Sequence, residues 1–131
     1  MLGIDTNILV RFLVRDDEPQ FEKARKLIRR EVAAGRRVFV SLLVLLETEW
    51  ILRSRYGLPK AEIIGAVSGL LDAADVRFED EPTIEEALFV WKDNAGGFAD
   101  CLIGSRNKRL GCSATATFDA KASRLSGFIA A

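Results

Sequence analysis

Four acidic residues stand where a carboxylate could support chemistry. They are Asp5, after the apolar run 2–4; Glu47, within the apolar segment from 42; Asp100, just after Gly97; and Asp119, at the end of 112–118. Carboxylates that converge repel one another unless a cation lies between them. Oxygen-only sites suit Mg²⁺ or Mn²⁺, ions that commonly bind phosphate and activate water for in-line displacement. A shared site would therefore favour metal-dependent phosphodiester or phosphate chemistry.

Each acid also has an ordinary structural explanation. Asp5 and Asp119 suit turn or cap positions, and Asp100 suits the first turn of a helix. Glu47 could form an ion pair with an arginine such as Arg53. Spacing alone leaves both interpretations open for all four acids.

Glu47 is the hardest of the four to explain structurally. It follows five aliphatic residues, 42–46, and a carboxylate in such surroundings is costly unless it is compensated. Its neighbour Glu49 is displaced by roughly 200° around a helix, so the two should not share a face. We expect Glu49 to be the solvated one.

Composition limits the other classes of function. The chain has 131 residues, which suits one domain over 1–131, and its 49% hydrophobic and 29% charged residues are ordinary for a folded protein. Nineteen basic and nineteen acidic residues cancel, so a role with nucleic acid needs a local basic surface. The absence of His excludes His-based catalysis and His-ligated zinc.

We expect Cys101 and Cys112 to be buried thiols, and the protein to be cytoplasmic with no membrane segment.

The elements that would position the acids alternate along the chain. Strands are predicted at 2–4, 38–40, 76–78 and 112–118, with an edge strand at 128–129. Helices are predicted at 8–14, 19–34, 42–56, 59–73, 82–95 and 98–110. Ser41 is the expected N-cap of the third helix and Pro82 opens the fifth. Such alternation indicates a parallel α/β sheet, whose carboxyl edge would receive Asp5 and Asp119.

Segments around the four acids resemble the PIN-domain ribonucleases, and among them the VapC-type toxins of prokaryotic toxin–antitoxin pairs. The resemblance covers residues 1 to about 129 and rests on several motifs in the right order. They are 4–9 (IDTNIL) followed by 15–17 (RDD), 46–52 (LETEWIL), 97–103 (GFADCLI) and 117–121 (TFDAK).

The resemblance implies a fold, an activity and partners. The fold is a three-layer α/β/α domain with a central, mainly parallel sheet of four to five strands. The activity is Mg²⁺- or Mn²⁺-dependent endoribonuclease cleavage of single-stranded RNA, which leaves a 5′-phosphate and a 3′-hydroxyl. A homodimer and a small inhibitory antitoxin are the implied partners.

The resemblance also implies roles for individual residues. Asp5, Glu47, Asp100 and Asp119 match the acidic quartet, in which Asp5 and Asp100 look like direct metal ligands. Glu47 and Asp119 would complete the site directly or through water. Small polar residues beside the acids would orient carboxylates or waters; these are Thr6, Asn7 and Thr117.

Because the site and the substrate are both anionic, cations outside the site must supply RNA affinity. Arginines are the main candidates, together with the basic face of 23–30. The arginines are Arg11, Arg15, Arg36, Arg37 and Arg106. Taken singly, each of them is more simply explained as solvated surface charge.

Three other readings compete with a nuclease. A receiver-type signalling domain would need paired acids after the first strand, where this chain has only Asp5. A metal-dependent phosphatase usually has a second Asp two residues later, at the position of Asn7. A non-catalytic PIN module that binds RNA or a protein is disfavoured by the intact quartet.

Overall fold

The computed structural model describes all 131 residues and places them in two units. The first unit is 1–79 and the second is 80–131. No helix in the chain is long and apolar enough to cross a membrane. Each unit contains its own parallel strand pairing, which is described separately below.

Three short parallel strands form the sheet of the first unit. They are β1 (Leu2–Gly3), β2 (Val38–Val40) and β3 (Val76–Phe78), hydrogen-bonded in the order β1-β2-β3. Leu2 lies opposite Val38, and Val38 lies opposite Val76. The strands are short, but β2 is buried at both of its ends, as expected for the middle strand of a parallel sheet.

Four helices connect these strands. They are α1 (Thr6–Leu13), α2 (Glu18–Ala33), α3 (Leu42–Ser54) and α4 (Lys60–Asp72). Parallel strands require crossover connections, and α1 contacts both α2 and α3. Right-handed crossovers in the order β1-β2-β3 place successive helices on the same face, which agrees with the contact between α1 and α3.

Local capping explains where these helices begin. Asp17 starts α2 by accepting a hydrogen bond from the Gln20 backbone N–H at 3.1 Å, and Ser41 starts α3 by accepting one from Val44 at 3.2 Å. Each satisfies a backbone donor that the first helical turn leaves without a partner. The predicted N-cap at Ser41 is therefore confirmed.

The second unit pairs two helices with a small sheet. Its elements are α5 (Glu81–Asp93), α6 (Phe98–Arg109), β4 (Thr115–Thr117), the short 3₁₀ helix Ala122–Arg124 and β5 (Phe128–Ala130). Helices α5 and α6 pack together, and the Trp91 and Phe98 rings lie 5.2 Å apart between centroids. The strands β4 and β5 are parallel, with Thr115 opposite Phe128.

The predicted α/β class with parallel strands is confirmed, but the strand pairing differs from the expectation. Five strands are present, yet they form one sheet of three and one of two rather than a single sheet. The hydrogen-bonded partner of β1 is β2, and the partner of β4 is β5. The strand predicted at 112–118 is also only three residues long.

One expectation about the cysteines is wrong. Cys101 is buried in α6, as predicted, but Cys112 is exposed and free. The difference follows from the end of α6, since Cys112 lies in the turn after Gly111, whose φ of +101° closes the helix.

Candidate active site

Asp5 lies at the junction of β1 and α1 and is the N-cap of α1. Its Oδ1 accepts a hydrogen bond from the Ile8 backbone N–H at 3.0 Å, whereas Oδ2 has no partner in the protein. The side chain is exposed. Asp5 is thus the cap residue that its position suggests, and it still has a carboxylate oxygen available for a ligand.

The two glutamates of α3 differ in exposure, but in the opposite sense to the one expected. Glu47 is exposed, whereas Glu49 is only 3% exposed and forms an ion pair with Arg53 at 2.9 Å. The predicted separation of the two around the helix is correct, but the assignment of faces was wrong. The alternative pairing of Glu47 with Arg53 is also wrong, because Arg53 pairs with Glu49.

The exposed face of α3 explains this reversal. Leu43, Glu47 and Trp50 are spaced i, i+4, i+7 and therefore share a face. Leu43 is 79% exposed and Trp50 is 53% exposed, so the apolar run 42–46 is not buried as a whole. Glu49 projects to the other side, where Arg53 compensates its charge.

Asp5 and Glu47 line one open cleft of about 530 Å³ in the first unit. We call it the acidic cleft. Its other lining residues are Thr6, Asn7, Val44, Trp50, Ile51 and Arg55. Two of the four predicted acids and both small polar residues near Asp5 therefore meet at one place.

The donor chemistry of the acidic cleft fits a hard divalent cation. Neither Asp5 nor Glu47 forms an ion pair, and both side chains are exposed to the cleft's solvent. Two carboxylates with unused oxygens are the kind of ligand that Mg²⁺ and Mn²⁺ bind. The cleft has no sulfur or imidazole that would favour a softer ion.

Sequence reasoning missed two lining residues of the acidic cleft. Trp50 belongs to the segment 46–52 that carries the PIN resemblance, and its i+3 spacing from Glu47 already indicates a shared helix face. Arg55 was not selected at all. It follows α3, where its backbone N–H donates to the Ile51 carbonyl at 2.9 Å, and no spacing rule links it to Asp5.

The other two acids lie in the second unit and also act as caps. Asp100 Oδ2 accepts a hydrogen bond from the Gly97 N–H at 3.4 Å, in the first turn of α6. Asp119 Oδ1 accepts one from Ala122 at 2.7 Å, and Thr117 Oγ1 accepts one from the Asp119 N–H at 3.0 Å. Each of these carboxylates again keeps one oxygen without a protein partner.

Neither unit contains a group of three or more Asp, Glu or Cys side chains arranged to hold a metal ion. Asp5 and Glu47 share the acidic cleft, whereas Asp100 and Asp119 belong to the second unit. The convergence of all four acids therefore stays a prediction.

Four of the five arginines predicted to contact RNA have acidic partners. Arg11 pairs with Asp16, Arg15 with Glu18, Arg36 with Glu31 and Arg106 with Asp80, at 2.6–3.0 Å. Arg37 is exposed and has no ion pair. A paired arginine is partly neutralised and is a weaker candidate for phosphate than an unpaired one.

Some of these ion pairs lower the pKa of the carboxyl group that takes part in them. Hydrogen bonding by Arg36 holds the pKa of Glu31 below its usual range. The pKa of Asp16 is likewise lowered, first by the Tyr56 hydroxyl, which donates to it at 2.9 Å, and then by Arg11. Both contacts favour the ionised carboxylates, and the contact between Tyr56 and Asp16 links the loop after α1 to the end of α3.

A second, larger concavity of about 620 Å³ lies between α1 and α2, and we call it the cationic groove. Its cations without an acidic partner are Lys23, Lys26 and Arg30. The remaining lining residues are Asn7, Ile8, Arg11, Gln20, Ala24 and Leu27, so no carboxylate lines it. Asn7 lines both the groove and the acidic cleft, which makes the two neighbours.

A family model for the PIN domain matches residues 3–127 of this chain. The chain therefore belongs to the PIN-domain family, and the resemblance noted in its sequence is confirmed.

Two VapC proteins are similar to this chain. A VapC ribonuclease of Aquifex aeolicus (strain VF5) is 25% identical over 122 residues, which cover 93% of this chain and 90% of the relative. The crystal structure of Mycobacterium tuberculosis VapC20, described as a sarcin–ricin loop cleaving toxin, shares 21% identity. It matches over 94% of this chain and 93% of that one, with a TM-score of 0.43.

Proposed function

We propose that this protein is a Mg²⁺- or Mn²⁺-dependent endoribonuclease that cleaves single-stranded RNA as the toxin of a VapC-type toxin–antitoxin pair. One observation carries the proposal: in a chain of the PIN-domain family, Asp5 and Glu47 line the same cleft with unpaired carboxylates. The name of the Aquifex relative supports the same activity. Because the family match spans both units, we also propose that 1–131 is one PIN domain.

In this proposal the four acids have different roles. Asp5 and Asp100 would hold the metal, and Glu47 and Asp119 would complete the site directly or through water. A bound divalent ion would neutralise charge on the scissile phosphate and lower the pKa of water for in-line attack. Glu47 or Asp119 would then orient that water or accept its proton.

The capping contacts give this arrangement a physical basis. Asp5, Asp100 and Asp119 each use one oxygen to accept a backbone N–H, which limits the rotation of the carboxylate. Preorganised ligands bind a metal with less loss of entropy than mobile ones. Thr117 supports Asp119 through the backbone, and Thr6 and Asn7 lie beside Asp5.

RNA affinity would come from cations near the acidic cleft. The three unpaired cations of the cationic groove are the first candidates, since none of them forms an ion pair and Asn7 connects the groove to the cleft. Arg37 is the one predicted arginine without an acidic partner. The paired arginines would contribute only if RNA displaced their carboxylates.

A toxin of this kind would work in the cytoplasm and would need a neutralising antitoxin. We propose such a partner, together with a homodimer, from the VapC resemblance. Size measurement of the purified protein alone and with the product of an adjacent small reading frame tests both points.

Cleavage of an RNA pool with Mg²⁺, Mn²⁺ or EDTA tests the proposal, with wild type and Glu47→Gln side by side. We expect metal-dependent cutting of unpaired segments that Glu47→Gln loses while it stays folded. Glu62→Gln in α4 is the matched control, because Glu62 is exposed and outside the acidic cleft. A folded wild type that binds RNA but cuts none with either metal would refute the nuclease and support a non-catalytic PIN module.

A further inference from the structure

We propose that the acidic cleft contains a nucleotide-binding subsite in which Trp50 stacks on an unpaired base and Arg55 contacts a phosphate. This inference rests on the proposed function and gives it a basis for selecting single-stranded RNA. Trp50 and Arg55 line the same cleft as Asp5 and Glu47.

Trp50 is unusually exposed for a tryptophan. Its side chain is 53% exposed and lines the cleft, whereas Trp91, the other tryptophan, is 4% exposed and packs against Phe98. A large indole surface left in water is unfavourable unless something covers it. A nucleobase is the covering group that fits a cleft built for a phosphodiester, because every base has a face that stacks on an aromatic ring.

Arg55 is a cation with no acidic partner beside two carboxylates. It lines the same cleft as Asp5 and Glu47 but forms no ion pair with either. Arg53, two residues earlier, is committed to Glu49. The guanidinium of Arg55 therefore keeps its donors available, and a phosphate is the anion whose geometry it matches best.

Stacking on Trp50 accounts for selection of single strands. A base inside a duplex is stacked on both faces and cannot present one to an indole without being extruded. An unpaired base costs much less to place there. The cleft should therefore discriminate against double-stranded RNA before any bond is cut.

Tryptophan fluorescence tests the subsite directly, because Trp91 is buried and Trp50 is the indole within reach of a ligand. A short unstructured RNA is titrated into the wild type in EDTA, so that the probe stays intact, and the same sequence is then added as a duplex. We expect quenching by the single strand and little by the duplex. Equal quenching by both would overturn the proposal.

Three variants of α3 separate nucleotide binding from other uses of this face. We expect Trp50→Ala to weaken single-strand binding roughly 5- to 150-fold, the range of one base stacked on an aromatic ring, and Trp50→Phe to recover most of it. Leu43→Ala is the matched control, two helical turns away on the same face and outside the cleft. An equal loss in Leu43→Ala would overturn the subsite, because the effect would then not depend on the cleft.

Arg55→Gln tests the phosphate contact, with Arg77→Gln as a control because Arg77 is exposed and lines neither concavity. We expect Arg55→Gln to weaken RNA binding about tenfold and to lower its dependence on salt, since each phosphate contact of a single strand adds roughly 0.7 to the salt slope. An unchanged slope in Arg55→Gln would overturn the role of Arg55.

The two proposals fail separately. Quenching by single-stranded RNA without metal-dependent cleavage would support the subsite and refute the nuclease. Cleavage of the same RNA without quenching, or with an unchanged KM in Trp50→Ala, would support the nuclease and refute the subsite.

Discussion

Asp5 combines a structural and a proposed catalytic task, and two substitutions can separate them. Its Oδ1 caps α1 through the Ile8 N–H, and its Oδ2 is the oxygen left for a metal. Asp5→Asn keeps a side-chain oxygen at the capping position but removes the negative charge. Asp5→Ala removes both.

The expected magnitudes follow from this geometry. Loss of an N-cap side chain costs about 1 kcal/mol of unfolding free energy, whereas Asn is as good a cap as Asp. For a chain of this length, 1 kcal/mol corresponds to a change in Tm of roughly 3–5 °C. We therefore expect Asp5→Ala to lower Tm by that amount and Asp5→Asn to lower it by much less.

RNA cleavage should depend on the negative charge of Asp5 rather than on the hydrogen bond by which it caps α1. We expect both variants to lose at least about 100-fold in RNA cleavage, because even the loss of an outer partner of a metal ligand costs 10- to 100-fold. Thermal unfolding and cleavage with Mg²⁺ are measured on the same preparations.

Two results would refute this reasoning. If Asp5→Asn lost as much Tm as Asp5→Ala, the capping oxygen would not be the stabilising feature. If Asp5→Asn cleaved RNA like the wild type, the carboxylate charge would have no part in the reaction.

Three further predictions concern charge, pH and packing. Replacing the three unpaired cations of the cationic groove by Gln should lower the slope of log binding constant against log salt concentration by about 2, measured by RNA anisotropy; an unchanged slope places the RNA elsewhere. The pKa of Asp80 is lowered because the Thr83 hydroxyl and then Arg106 donate hydrogen bonds to its carboxylate. The ionised Asp80 therefore stabilises the folded protein above the ordinary pKa of 3.8, and this stabilisation is lost as pH falls through the lower pKa that Asp80 has in the folded state. Thermal unfolding of Asp80→Asn should therefore depend less on pH below about 4 than that of the wild type, and equal dependence would contradict the assignment. Gly104→Ala should cost about 1–3 kcal/mol in denaturant unfolding, because the added Cβ would meet the Phe128 ring; a neutral effect would show that the ring moves aside freely.

Features with local causes could be predicted from the sequence. The bounds of β2 and β3 match the prediction, and Ser41 caps α3 as expected, because alternation and capping act over a few residues. The roles of Asp5 and Asp119 as caps were foreseen as one of two alternatives for the same reason.

Features with distant causes could not be predicted. The run 112–118 consists of small, β-branched or aromatic residues, but only 115–117 pair, with 128–130 of β5. The ladder between β4 and β5 depends on a turn and a 3₁₀ helix between them, and no periodicity within β4 encodes that choice of neighbour.

The positions of Glu47 and Glu49 on α3 show why only part of the candidate site could be predicted from the sequence. Helical period determines that Glu47 and Glu49 point apart, but it does not determine which face is buried. The apolar run suggested that Glu47 was buried, whereas the helix buries Thr48 and Glu49 and exposes Leu43 and Trp50. A helix that exposes an indole beside a carboxylate departs from ordinary patterning, and such departures are expected where function outweighs local stability. The exposed Trp50 is therefore part of the argument for a binding cleft at Asp5 and Glu47.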